Sequence, residues 1–132
     1  MFYLEKQFAD EIIAHALEDA PNECCGIVAG VNGEVKKLYR TTNTEHSPVK
    51  YNIDPQELFQ AYKEAEEKEW EFLAFYHSHT ASEAYPSPTD VHLAAWPDCI
   101  YIIVSLMNRD TTVIRAFKIV DGQIQEEELQ II

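Results

Sequence analysis

The sequence predicts an α/β protein in which one mixed β-sheet is sandwiched by helices. Apolar residues recur at helical spacing in two separated segments, 4–19 and 55–69, and about six short apolar or alternating runs lie around them. The connections mix tight turns, Asn32-Gly33 and Asp121-Gly122, with longer crossovers. Hairpins give antiparallel pairs and crossovers give parallel ones, so the sheet is mixed and its helices lie on its faces.

Taken in order, Leu4, Phe8, Ile12, Ile13 and Ala16 mark a helix over 4–19, which Pro21-Asn22 ends. Residues 24–31 (CCGIVAGV) read as a buried strand, and 34–42 as its hairpin partner. The polar segment 43–50 with Pro48 is loop, and 51–53 is a short strand. Asp54-Pro55 supplies an N-cap and a first-turn proline for a helix over 55–69, with Leu58, Phe59, Tyr62 and Ala65 on one face. Its KEAEEKE run is a solvated face. Phe72–Tyr76 is a short central strand, and 77–86 is not regular throughout. Ser87-Pro88-Thr89-Asp90 opens a helix to about residue 95. Residues 100–106 (IYIIVSL) form the most apolar strand, and 112–120 and 123–131 are two more.

Composition bounds the function. A chain of 132 residues, 46% apolar, fits one domain spanning 1–132 with a core that needs no disulfide staples. A net charge of −13 argues against nucleic acid and anionic membrane as partners, because phosphate binding needs a basic patch. No apolar run reaches the ~20 residues of a membrane span. The three cysteines, Cys24, Cys25 and Cys99, are odd in number and two are adjacent, unlike a secreted disulfide framework. They read as core residues on alternate strand faces, and a cytoplasmic protein is expected.

The chemistry concentrates at the end of the strand over 72–76. His77 and His79 are two apart, so on a strand they point the same way with Cα atoms roughly 6.6 Å apart. Asp90 on the following helix is placed to add a carboxylate. Two imidazoles and a carboxylate without thiolate describe a catalytic zinc site with one open position for water. Glu23, in a polar break before a buried strand, is the candidate base that is not itself a ligand. Each piece also has a plainer reading. An H-x-H pair alone is weak, Ser87 and Asp90 fit a helix capping box, and Glu23 taken singly is a solvated loop acid. His15 and His92 read as packing or surface residues.

The combination is more specific. His77-Ser78-His79, then seven residues, Ser87, two residues and Asp90 make H-x-H-x₇-S-x₂-D, with an upstream glutamate at a strand entry. This resembles the JAMM motif of the MPN+ metalloproteases with no position missing. Asn22–Gly26, Tyr51–Pro55 and Trp96–Leu106 also resemble the family's short prokaryotic members, so the likeness runs along essentially the whole chain. Thr80 departs from it, since many members have proline after the second histidine.

The resemblance implies a JAMM/MPN fold, related to that of the cytidine deaminases. It implies zinc on His77, His79 and Asp90, Glu23 as general base and then acid, and Ser87 as a hydrogen-bond donor to the oxyanion. It implies a peptidase or isopeptidase acting after the C-terminal Gly-Gly of a ubiquitin-like or sulfur-carrier protein. Deamination itself is set aside, because that chemistry needs H-x-E and P-C-x-x-C, and this chain has neither. A general deubiquitinase-like isopeptidase and a non-catalytic MPN-type scaffold are the alternatives. Exposed strand edges permit a homodimer without requiring one.

Overall fold

The computed structural model describes residues 1–132. In chain order the elements are β1 (Phe2–Leu4), α1 (Lys6–Asp19), β2 (Cys25–Val31), β3 (Glu34–Thr41), α2 (Pro55–Glu67), β4 (Glu71–His79), α3 (Pro88–Leu93), β5 (Ile100–Ser105), β6 (Val113–Val120), β7 (Gln123–Glu127) and β8 (Leu129–Ile131). Six strands form one sheet in the order β3-β2-β4-β5-β6-β7. Only β4 and β5 run parallel within it; every other pair is antiparallel. The mixed sheet expected from the turns and crossovers is the one observed.

The period of two along each strand sorts the core onto two faces. Ala74 and Tyr76 of β4 join Val28, Ile102 and Val104 against Ala9, Ile12 and Ala16 of α1. Phe75 joins Ile27 and Tyr101 on the opposite face, against Ala61 of α2, with Val91 of α3 packed alongside. The helices therefore cover both faces. His77 and His79 continue the alternation that begins at Phe75, so they project from the face that carries α2 and α3.

The α2 start is built as the sequence predicts, with the Asp54 carboxylate accepting from the backbone N–H of Gln56 and Glu57 ahead of Pro55. Four boundaries differ. The strand expected over 72–76 continues through His79, because its backbone is paired on β5 as far as Ser105. Leu4 belongs to β1 rather than to the first helix. The strand expected over 123–131 divides at Glu128: β7 stays on β6, while β8 leaves the sheet and pairs in parallel with β1. Residues 51–53 make only the single bridge Asn43–Ile53.

One glycine is required by packing. Gly26 is the register partner of Tyr76, and a Cβ there would run into the Tyr76 ring. The ring is fully buried above that bare backbone. Its hydroxyl is 2.6 Å from Nδ1 of His15, which makes His15 a packed core histidine.

Candidate metal centre

The parallel pair β4–β5 ends at His79 and Ser105, and α3 begins beside it. Three groups meet there. His77 Nε2 lies 3.2 Å from His79 Nε2 and 3.1 Å from Asp90 Oδ2, and His79 Nε2 lies 2.9 Å from the same oxygen. Four ligands at ~2.0–2.1 Å around a tetrahedral ion stand ~3.3 Å apart, so these spacings fit such an ion closely. All three residues are buried, so the carboxylate and imidazoles have exchanged water for one another.

Each ligand is held differently. His79 Nδ1 donates to the carbonyl oxygen of Glu83 at 2.8 Å, which leaves the lone pair on Nε2 facing the centre. His77 Nδ1 has no hydrogen-bond partner. Its ring is instead stacked on Tyr51, with centroids 4.4 Å apart and planes inclined at 26°. Asp90 is fixed by α3 itself. Ser87 Oγ accepts from the Asp90 N–H at 3.0 Å, and Asp90 Oδ2 accepts from the Ser87 N–H at 2.9 Å. The capping box and the ligand set are therefore the same residues doing both jobs. Ser87 Oγ accepts in that box and keeps its own hydrogen for another acceptor.

Electrostatics follow from burial and contact. Burial lowers the His77 pKa and keeps its imidazole neutral, which is the ligating form. For His79 burial also works against the proton, but hydrogen bonds to Asp90 and to the Glu83 carbonyl outweigh it and the pKa rises. Burial disfavours the Asp90 carboxylate, yet hydrogen bonds to both histidines and the Ser87 backbone hold its pKa well below the usual range. An ion binding there displaces a proton from this cluster.

Glu23 is brought to the same place from far along the chain. Cys25 of β2 faces His77 of β4 in antiparallel register, so two residues further Glu23 stands across from His79. The Cys24 N–H donates to Ser78 Oγ at 2.8 Å, which anchors this strand entry. Asn43 Nδ2 donates to the Glu23 carbonyl at 3.0 Å. The side chain is 3% exposed and its Oε1 has no partner. Burial pushes the Glu23 carboxyl up to about 8, with the His79 charge pulling down and Asp90 pushing up. It is buried, not the solvated loop acid of the plainer reading.

The structure thus brings together Glu23, His77, His79, Ser87 and Asp90. His92 is not part of the group, and the thiols of Cys24 and Cys25 are each pushed up to about 12 by burial, which keeps them unreactive at neutral pH. Sequence reasoning missed two partners. Tyr51 stands in a segment whose likeness to the family was visible, but its stacking on a residue 26 positions on was not. The Glu83 contact is made by a backbone carbonyl, which carries no side-chain signal.

A mixed sheet covered by helices, with a buried His-His-carboxylate set at a strand end and an unpartnered buried glutamate beside it, defines a metal-dependent hydrolase. Residues 5–120 match the family described as prokaryotic homologs of the JAB domain. The chain belongs to that family, the short prokaryotic branch of the JAMM metalloproteases, and it is an enzyme of the hydrolase class. It is 37% identical over 131 residues to the CysO-cysteine peptidase of Mycobacterium tuberculosis, covering 98% of this chain and 90% of that one. It is 36% identical over 109 residues to a desampylase of Haloferax volcanii, covering 77% and 78%. The solution structure of protein DSY2949 from Desulfitobacterium hafniense superposes with a TM-score of 0.89 at 34% identity, covering 100% of this chain and 93% of that chain.

Proposed function

We propose that the protein is a zinc peptidase that hydrolyses the bond following the C-terminal Gly-Gly of a ubiquitin-like sulfur carrier. The observation that carries this is the meeting of two imidazole nitrogens and one carboxylate oxygen within 3.2 Å, with the orphaned Glu23 carboxyl beside them. Nitrogen and oxygen donors without thiolate, three in number, favour catalytic zinc. The peptidase and desampylase named above support a carrier as the substrate.

Zinc, when bound, supplies Lewis acidity and makes water nucleophilic near neutral pH. The chain's own groups do the rest. His77, His79 and Asp90 hold the ion. Glu23 takes a proton from water at its unpartnered oxygen and delivers it to the leaving amine nitrogen as the C–N bond breaks. The Ser87 hydroxyl donates to the developing oxyanion. Glycine at the end of the carrier tail suits a narrow approach, since a residue without a side chain lets backbone pass. Tyr51 borders an apolar cleft of about 200 Å³ and Glu23 a polar one of about 510 Å³.

Three buried free thiols favour a reducing compartment, and the cytoplasm is the proposed location. No helix is long and apolar enough to cross a membrane. A second reading, a broader isopeptidase for protein conjugates, is favoured by the desampylase relative. The scaffold alternative is disfavoured by the intact ligand set.

The test is cleavage by zinc-loaded protein of ubiquitin-like carriers from its own genome, each extended past Gly-Gly by one residue or a short peptide. Wild type is expected to release the extension. Glu23→Ala should bind zinc and cut at least ~10²-fold more slowly, and His79→Ala should lose the metal. A Glu23→Ala protein as fast as wild type would remove Glu23 from the chemistry. No cleavage by zinc-bound wild type would move the assignment to isopeptide-linked substrates or to the scaffold.

A further inference from the structure

We propose that Ser105 is a positioning residue for the metal centre, acting through the loop 80–86 that carries the His79-binding carbonyl. The inference rests on the metal reading of His77, His79 and Asp90.

On the side away from the other candidate ligands, His79 is oriented by one hydrogen bond, from Nδ1 to the Glu83 carbonyl. Glu83 lies in an irregular loop between β4 and α3, with no ladder to hold it. A loop carbonyl can fix a ring only if the loop is itself fixed. Ser105 does this at the residue next to Glu83. It ends β5 as the register partner of His79 and is 4% exposed. Its hydroxyl donates to the Ser82 carbonyl at 2.6 Å and accepts from the Met107 N–H at 3.2 Å. Accepting on one side directs its single hydrogen to Ser82. The same strand end therefore carries both the ligand's backbone partner and the pin for the ligand's orienting loop.

The far side of the loop is held by packing and by one backbone bond, from the Tyr85 N–H to the Glu83 carbonyl at 2.9 Å. Ala84 is 2% exposed against Ile103 and Phe117. The Tyr85 ring meets Phe117 edge-on at 5.5 Å, and the Arg115 guanidinium, bound at two points by Glu126, lies 5.9 Å over Tyr85. These contacts locate the loop against the sheet. Ser105 adds a hold on the side facing β5: it fixes the Ser82 oxygen and so the 82–83 peptide that leads into Glu83.

Removing a group that orients a ligating histidine typically costs 10–100-fold in metal affinity. Ser105 acts one bond further out, so about tenfold is expected. The variants are Ser105→Ala, Ser105→Cys as a near-isostere that donates weakly, and Ser105→Thr, which keeps the hydroxyl. Two readouts apply: the zinc dissociation constant by competition with a chromophoric chelator, and the imidazole ¹⁵N shifts of His79 in metal-free protein, which report its tautomer. The expected result is a roughly tenfold weaker dissociation constant and a mixed His79 tautomer in Ser105→Ala and Ser105→Cys, with Ser105→Thr close to wild type. Wild-type affinity with an unchanged tautomer in a folded Ser105→Ala or Ser105→Cys would overturn the proposal. So would a loss equally large in Ser105→Thr. Should wild type bind no zinc, the metal reading fails by itself, and the His79 tautomer in the metal-free variants still decides the role of Ser105.

Discussion

The two candidate metal ligands His77 and His79 are neighbours on one strand face, yet they are oriented by unlike means. His79 is fixed by a hydrogen bond to a carbonyl, and His77 by the flat of the Tyr51 ring. Glu23 is the residue whose environment is least comfortable, since it is buried with an unpartnered oxygen. Its raised folded-state pKa has a consequence for the metal-free protein. The ordinary value is 4.5 and the folded value about 8. Because the folded value is the higher one, the stability that goes with the protonated carboxyl is complete below pH 4.5 and is lost as pH rises through about 8. Glu23→Gln removes that titration. Denaturant melts of metal-free protein should show the variant gaining on wild type as pH rises, by on the order of 2 kcal/mol at pH ~9, with the gap closing near pH ~5. A gap that does not change with pH would mean that Glu23 is solvated.

At the scale of elements, the sheet depends on strand pairs fitting without side chains where the packing is closest. Gly26→Ala should cost about 1–3 kcal/mol in a urea melt, because a methyl group there displaces the Tyr76 ring from a full core and strains its bond to His15. Much of this level was legible beforehand. Asp54-Pro55 and Ser87-Pro88 announce helix starts through local hydrogen bonds, and those are properties of a few adjacent residues. The apolar run 100–106 is a strand for the same local reason. What was not legible depends on distant partners. The extension of β4 through two histidines requires β2 and β5 on either side to satisfy its backbone. The division at Glu128 and the strand at Leu4 exist only because 2–4 and 129–131 find each other. The site shows the same split. The ligand spacing within 77–90 was readable, and the Tyr51 and Glu83 contacts were not.

For the molecule as a whole, β1 and β8 join the two ends of the described chain, with Phe2 beside Leu129 and Leu4 beside Ile131. The Met1 ammonium adds a 2.6 Å contact to Glu127. We expect residues 1–132 to unfold as one unit for this reason, since no stretch of chain can leave without breaking a pairing made elsewhere. Calorimetry should give one transition whose van't Hoff and calorimetric enthalpies agree. Zinc at ~100 times its dissociation constant should add about 2.7 kcal/mol, raising the midpoint by about 10 °C, and a chelator should reverse it. Two separated transitions would divide the chain. A midpoint indifferent to zinc and chelator would leave the cluster of His77, His79 and Asp90 without an ion.

The antiparallel register between β2 and β4 sets Glu23 against His79, while the three candidate ligands all come from 14 consecutive residues, 77–90. On the proposed mechanism, capturing the ion and using it are thus encoded in separate stretches of chain. Adding or deleting a single residue at the start of β2 would leave residues 77–90 untouched. It would also turn the carboxyl to the opposite side of the sheet, because side chains alternate at every step. On the proposed mechanism, a frame count of one thus separates an enzyme from an inert metal carrier of the same shape, and descendants of such a chain could fall silent while every candidate ligand survives.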